Sequence, residues 1–487
     1  MNAGPMPYTG TVRLRRYCSM ELLKEEPDMQ KISARALLAG LKEIPEGEDT
    51  QVTTVVADSR RLLPGCVFVC FKGARADGHD FAALAIQRDA AFVVAEHPVE
   101  GVPEKQLVLV DSTLHAMVTM AANYRAQFSP VVVGVTGSVG KTTTKEFCYA
   151  VFSDFGETLK TEGNQNNEIG MPNTLFRLED STRYAVVEMG MSALGEISRL
   201  TRAARPSVGI ITCIGVSHLE HLGSRENILK AKLELCEGME PGSPLVLNAD
   251  DEYLWGAQLP GHVRPVWVGL DNQKADIRAE EIRTMPRGTA FVICHQGHRL
   301  PAFIPTVGRH NVYNALLAYG AATALGLSPA RAAAALERYE TTGMRQRLVQ
   351  AGDVTVMEDC YNASPDSMRA AFAAMAELPA ARRCALLGDM LELGQVSEEA
   401  HRQAGRLAAE AGAALLVCYG PQSALTAEEA RRAGVEQVFH CDTPDQAAEV
   451  LQQQLRAGDL LLAKASRSMK LEDILQKYYQ MTGTADR

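Results

Sequence analysis

The chain has 487 residues, 46% hydrophobic and 22% charged, with a formal net charge of −10. That is too much chain for one hydrophobic core, so about three domains are expected. The acidic balance speaks against a nucleic-acid partner, which would need a concentrated basic face, and no apolar run reaches the ~18 residues of a membrane-inserted helix.

The first 30 residues carry basic side chains with no apolar segment behind them, so they do not form a signal peptide. The expectation is a disordered extension, or an initiator that lies further on, at Met20 or Met29. From 31 to 111, strand-like runs (VTTVVADSR, PGCVFVCFKG, AAFVVAEHP, QLVLVD) alternate with the helical GHDFAALAIQRDA, which reads as a small α/β domain. The chain's 11 cysteines include no CxxC pair. Cys66 and Cys70 share one face of a strand and read as buried thiols in a reducing, cytoplasmic compartment.

A second region, 112–343, opens on an amphipathic helix beginning at Ser112. The apolar runs VVVGVTG, YAVVEMG, SVGIITCIG and GSPLVLNADD follow, separated by helices, and RHNVYNALLAYGAATALG closes the region. Apolar strands alternating with helices predict a mostly parallel sheet covered on both faces. From 344 to 487 the pattern restarts, with strands VTVMEDCY, RCALLGDM, ALLVCYG, VEQVF and DLLLAKAS between alanine-rich helices, as in a Rossmann-like domain. The fold class is α/β.

The stretch VVVGVTGSVGKTTTKE (131–146) reads as strand, glycine turn and helix. The usual phosphate-loop spacing would put its first glycine at 135, where Val135 stands. The physical logic survives this variation. Gly137 and Gly140 let backbone N–H groups, including those of Ser138 and Val139, turn toward an anion at a helix N-terminus. Lys141 reaches outer phosphates, Thr142 offers a hydroxyl to Mg²⁺, and Thr143 extends the turn. A magnesium nucleotide needs further hard ligands. Glu188 ends the strand YAVVE, and His218 follows another strand end, at the sheet edge where parallel sheets place ligands. A surface glutamate and a structural histidine are the plainer alternatives. The helix after His218 carries Lys230 and Lys232, which pattern alone does not separate.

VTGSVGKTTTKE, KTEGNQNNEIGMPNTL, VVEMGM, SHLEHLGSRENILKAKLEL, NADDE, GRHNVYNALLA, EDCYNASPDSM and LLGDMLELG occur in one order. Together with ADSRRLLPGCVFVCFKGARADGHDF, they make the chain resemble the Mur ligases of bacterial peptidoglycan synthesis from about residue 31 onward. YNASPDSM and GDMLELG point to the branch that joins D-Ala-D-Ala to UDP-MurNAc-tripeptide. The resemblance implies three domains: a UDP-binding domain, a central phosphate-loop ATPase and a C-terminal ligase domain. It further implies a cytoplasmic monomer that uses ATP and two Mg²⁺ ions and forms an acyl phosphate.

Carried over residue by residue, Lys141, Glu188, His218 and Lys232 are catalytic. Thr142, Glu188, His218 and Lys232 hold metal, with Lys232 carbamylated and Lys230 its competitor. Asn164 and Asn314 face the adenine. Arg345, with Arg347 a close competitor, binds ATP, and Asp359 holds the ribose. Ser59 and Arg60 sit in the uridine-diphosphate region, although a surface turn would look the same. Asn362 and Ser367, in the same loop as Asp359, line the substrate site, and Lys464, Ser466 and Arg467 are expected near the acceptor dipeptide, with Ala465 standing where the family commonly has glycine. A folate-type amide ligase would lack the first domain, and a mechanical NTPase would leave the Asn-rich GNQNNEIG loop without a role.

Overall fold

The computed structural model describes residues 29–73, 76–285 and 287–483. The expected N-terminal extension therefore lies, up to residue 28, outside the described residues. Two compact units emerge. One comprises residues up to Phe128 together with Pro172–Asp180, the other Ser129–Met171 and Ser181 onward.

In the first unit, four short parallel strands, Val55–Val56, Val67–Val69, Phe92–Ala95 and Leu107–Leu109, form one sheet in sequence order. Cys66 and Cys70 are buried in its core beside Phe68 and Val93. Burial pushes the Cys70 thiol up to about 12 (Asp77 adds to the effect), so it stays protonated and unreactive. The helix Thr113–Arg125 belongs to this unit, and its Tyr124 hydroxyl donates to the Leu178 carbonyl.

The second unit contains two sheets. The larger has nine strands. Val131–Thr136 lies between Tyr184–Glu188 and Val208–Ile211, and all three are parallel. Thr158–Lys160 adds one edge, while Pro244–Asn248, Arg264–Gly269 and Ile277–Met285 extend the other in parallel. Gly288–His295 and His298–Ile304 then turn back antiparallel, a hairpin that the sequence reading lacks. Its turn places Gln296 and Gly297 at positive φ, as a two-residue hairpin requires.

The helices Lys141–Ser153 and Arg309–Ala324 pack on this sheet, and Phe147 stacks on Tyr339 at 4.0 Å. The smaller sheet has six strands. Arg347–Ala351 is an antiparallel edge on Val354–Glu358, followed by Asp459–Lys464, Arg382–Gly388, Ala413–Tyr419 and Gln437–Cys441, all parallel. The last parallel strand in sequence is thus inserted beside the first, so the loops that follow both open at one edge. Among the described residues, no helix is long and apolar enough to cross a membrane.

Candidate active site

The strand Val131–Thr136 delivers the chain into a turn that only glycine tolerates. Gly137 has φ 146° and Gly140 φ 87°, both in the region that penalises a Cβ. A side chain at Gly137 would collide with Thr212 Oγ1, and one at Gly140 would stand 2.6 Å from Asn314 Oδ1. Ser138 N–H donates to the Cys213 carbonyl (3.0 Å), and Thr212 Oγ1 donates to the Val139 carbonyl, so the turn is sewn to the neighbouring strand end. The helix Lys141–Ser153 then begins with its N–H groups and positive dipole end at the turn. Lys141 Nζ donates back to the Gly137 carbonyl (2.8 Å) and the Ser138 carbonyl (3.4 Å). Burial lowers its pKa, an effect opposed by Glu188 and reinforced by Arg345.

Glu188 is 1% exposed at the end of its strand. Its N–H donates to Thr161 Oγ1 (3.0 Å), and its Oε1 accepts from Asn166 Nδ2 (2.7 Å). Asn166 therefore orients this carboxylate. Its neighbour Asn164, the residue singled out in the sequence, is exposed. His218 has φ 65° and opens the short helix Leu219–Leu222. Burial first, then Lys141, Lys232 and His221, hold its pKa down at about 3, so the imidazole is neutral and keeps a lone pair for a ligand. Lys232 is 0% exposed and Lys230 is exposed. Burial, with Lys141 adding repulsion, pushes Lys232 well below the usual lysine range.

Four atoms in these segments are buried without hydrogen-bond partners: Ser138 Oγ, Glu188 Oε2, His218 Nδ1 and Lys232 Nζ. Unpaired buried polar atoms are costly, and these four have the chemistry to meet a phosphate and a divalent cation. Among the described residues, no group of three or more His, Cys, Asp or Glu side chains is assembled for a metal. A cation bound here would have to draw on Thr142, one carboxylate, one imidazole and the oxygens of a phosphate ligand.

The six-stranded part contributes the rest. Arg345 lies over the Tyr361 ring at 4.0 Å and within electrostatic reach of Lys141, whereas Arg347 is exposed on the edge strand. Asp359 and Lys464, at two adjacent strand ends, pair directly: Lys464 Nζ donates to Asp359 Oδ2 (2.6 Å) and to the Asn362 carbonyl (3.0 Å). Asn314 is buried. Its Oδ1 accepts from Thr144 (3.1 Å) and its Nδ2 donates to Asn311 (3.2 Å), so its amide braces the phosphate helix. Asn311 in turn donates to Gln346 Oε1 (2.9 Å). The sequence reading missed both Asn311 and Gln346.

Other predicted residues have their side chains engaged locally. Ser367 forms a reciprocal capping box with Ser364 at the start of the helix Pro365–Glu377. Ser466 Oγ accepts from Leu391 N–H (2.9 Å), and Arg467 pairs with Glu472. Asn362 is exposed, and its Oδ1 accepts from Ala363 N–H. Ala465 fits where glycine was expected because Gly388 faces it without a Cβ. In the first unit, Ser59 and Arg60 sit in a 3₁₀ turn capped by Asp58, to which Arg60 is also ion-paired (2.5 Å).

Family models match three stretches: "Mur ligase family, catalytic domain" over 51–125, "Mur ligase middle domain" over 135–322, and "Mur ligase, glutamate ligase domain" over 344–467. The UDP-N-acetylmuramoyl-tripeptide–D-alanyl-D-alanine ligase of Bacillus subtilis is 37% identical over 436 residues, covering 89% of this chain and 94% of that protein.

The chain belongs to the Mur ligase family.

Its fold is the three-domain α/β Mur ligase fold. It superposes on MurF from Acinetobacter baumannii with a TM-score of 0.83 and 28% identity, covering 93% of this chain and 99% of that one. With MurF ligase from Thermotoga maritima in complex with ADP, the TM-score is 0.81 at 26% identity, covering 89% and 98%. Of the Mur ligase residues expected from sequence, Lys141, Glu188, His218 and Lys232 come together around the phosphate turn, with Arg345 reaching toward them. Asp359 and Lys464 form a separate pair at the smaller sheet's edge.

Proposed function

We infer that this chain is an ATP-dependent ligase that adds D-alanyl-D-alanine to UDP-N-acetylmuramoyl-tripeptide, yielding the pentapeptide precursor of peptidoglycan in the cytoplasm. The observation that carries the reading is the convergence on one glycine turn of the Lys141 cation and four buried polar atoms without hydrogen-bond partners, Ser138 Oγ, Glu188 Oε2, His218 Nδ1 and Lys232 Nζ. Burial first, then Lys141, holds down both His218 and Lys232, and Lys141 itself is lowered by burial and by Arg345 against the opposing Glu188. A nucleotide's terminal phosphates would relieve Lys141, while the neutral imidazole of His218 and the neutral amine of Lys232 suit a metal ligand and a site of carbamylation. The relatives' names supply the substrates, and the T. maritima complex supports an adenine nucleotide.

In the reaction, a carboxylate oxygen of the tripeptide attacks the γ-phosphorus, the bond to ADP breaks, and an acyl phosphate forms. The dipeptide amine then attacks the acyl carbon and loses a proton. Phosphate departs with one of the original carboxylate oxygens. Catalysis rests on positioning and on charge. The N–H groups of the turn and Lys141 hold the outer phosphates, and Arg345, fixed on Tyr361, supplies a cation from the ligase domain. Asp359, oriented by Lys464, receives the ribose, while Asn164 and Asn314 border the adenine. Ser59 and Arg60 serve the UDP end. Asn362, Ser367, Lys464 and Ser466 lie around the acceptor.

Thr142, Glu188, His218 and a carbamylated Lys232 would hold two Mg²⁺ ions, which supply charge neutralisation at the transferring phosphoryl. Burial favours the neutral amine of Lys232, the form that adds carbon dioxide, whereas exposed Lys230 has no such environment. The test is phosphate release with ATP, Mg²⁺, UDP-MurNAc-tripeptide and D-Ala-D-Ala, each omitted in turn. Every omission should abolish turnover. Release that is indifferent to the dipeptide would refute the ligase reading.

A further inference from the structure

His218 sits on a loop, 212–218, that is anchored from all sides. From the nine-stranded part, Asp251 accepts the Ile214 N–H (2.7 Å) and Arg225 donates to the Ile214 carbonyl (2.6 Å). The Cys213 carbonyl accepts from Ser138 of the phosphate turn (3.0 Å). One further hydrogen bond comes from the other sheet's side: Asp366, in the first turn of the helix Pro365–Glu377, accepts the Val216 N–H on Oδ2 (3.2 Å). The fit is tight. A Cβ at Gly215 would stand 2.4 Å from that same carboxylate oxygen and 3.3 Å from Ser138 Cβ. Gly215 does not have positive φ, so backbone conformation does not demand glycine there, whereas the approach of Asp366 does. Just beyond His218, a Cβ at Gly394 of the ligase domain would lie 3.4 Å from Glu220 Cβ, so this segment meets the six-stranded part twice.

We propose that Asp366 is a positioning residue: it clasps the His218 loop to the ligase domain and sets His218 only when the two sheets are docked. The inference rests on the ligase reading for its kinetic consequence but not for the clasp itself. The anchors to Asp251, Arg225 and Ser138 lie within the nine-stranded part and survive any domain opening. The Asp366 bond does not, so it reports docking to the loop that carries a catalytic imidazole. A carboxylate accepting a backbone N–H makes a charge-assisted hydrogen bond. A neutral carboxamide of the same shape keeps the acceptor, while a methyl group does not.

The experiment compares Asp366→Ala, Asp366→Asn, Gly215→Ala and the double variant Asp366→Ala/Gly215→Ala in the full chain. Hydrogen exchange in the peptide containing Val216 reads the clasp directly, without any substrate. Exchange should accelerate about tenfold in Asp366→Ala and in Gly215→Ala, and stay near wild type in Asp366→Asn. With substrates, Asp366→Ala and Gly215→Ala should each lower kcat about tenfold, leave KM for ATP within about twofold, and be no worse when combined. Melting temperatures close to wild type separate positioning from general destabilisation. Unchanged exchange in Asp366→Ala, or additive kinetic losses in the double variant, would overturn the clasp. A wild-type protein that protects Val216 yet ligates nothing would instead refute the ligase reading.

Discussion

Lys141 is a half-buried cation whose present acceptors are two carbonyls, so its charge awaits a phosphate. Replacing Lys141 with alanine should cut kcat about 10²–10³-fold with little change in thermal stability. Retained turnover would remove the phosphate-turn assignment. Lys232 carries a different expectation. With ¹³C-bicarbonate, the protein should show one carbamate carbon resonance, and Lys232→Arg should lose it together with activity. A resonance that survives Lys232→Arg would move the modification elsewhere. The sequence could not choose between Lys230 and Lys232, because two residues apart on a helix means roughly 200° of rotation, and only packing shows which side is inside. Lys141, Glu188 and His218 were readable because each follows an apolar strand, and parallel strand ends converge on one edge. Asn166, Asp366 and Gln346 were not readable. Their roles depend on which loops meet, and no local periodicity encodes that.

At the level of elements, the phosphate helix is held by Phe147, which is 0% exposed and stacked on Tyr339. Phe147→Ala should cost about 3–5 kcal/mol in denaturant unfolding and loosen the turn as well. A cost near zero would mean that the helix is positioned by its polar contacts alone. In the smaller sheet, Asp459 is buried against Arg382, with bonds of 3.0 and 2.6 Å. Burial alone would raise the Asp459 pKa, but Arg382 and the Arg456 N–H outweigh it and hold the carboxyl below its usual range. The unfolded state therefore binds the proton more readily, so this stabilisation is complete above the ordinary aspartate pKa and fades as pH falls through it. Unfolding free energy measured from about pH 6 to 3 should decline less steeply in Asp459→Asn than in wild type. Val131–Thr136, Tyr184–Glu188, Val208–Ile211 and Pro244–Asn248 were legible as apolar runs with glycine beside them, whereas the parallel strands Thr158–Lys160, Arg264–Gly269 and Ile277–Met285 were not. The hairpin over 288–304 was not, because its one-sided burial mixes polar with apolar positions and leaves no continuous apolar run like those of the doubly covered strands.

On the scale of the molecule, each sheet brings its own groups to a strand-end edge: Lys141, Glu188 and His218 from the larger, Asp359, Lys464 and the Arg345 linker from the smaller. The start of the smaller sheet's domain was legible in the restarting strand–helix pattern, since each restart needs its own core, whereas the helix Thr113–Arg125, read as opening the second region, belongs to the first unit. The cross-sheet contacts through Gln346 and Asp366 were invisible until the fold was known. Coupling between the sheets is the reason activity should be more sensitive than stability to changes at those contacts. The central claim is the acyl phosphate, and isotope transfer tests it most directly. UDP-MurNAc-tripeptide labelled with ¹⁸O in its terminal carboxylate is incubated with ATP, Mg²⁺ and D-Ala-D-Ala, and the released phosphate is analysed by mass. One ¹⁸O atom per ligation should appear in the phosphate. Unlabelled phosphate alongside pentapeptide formation would contradict the account.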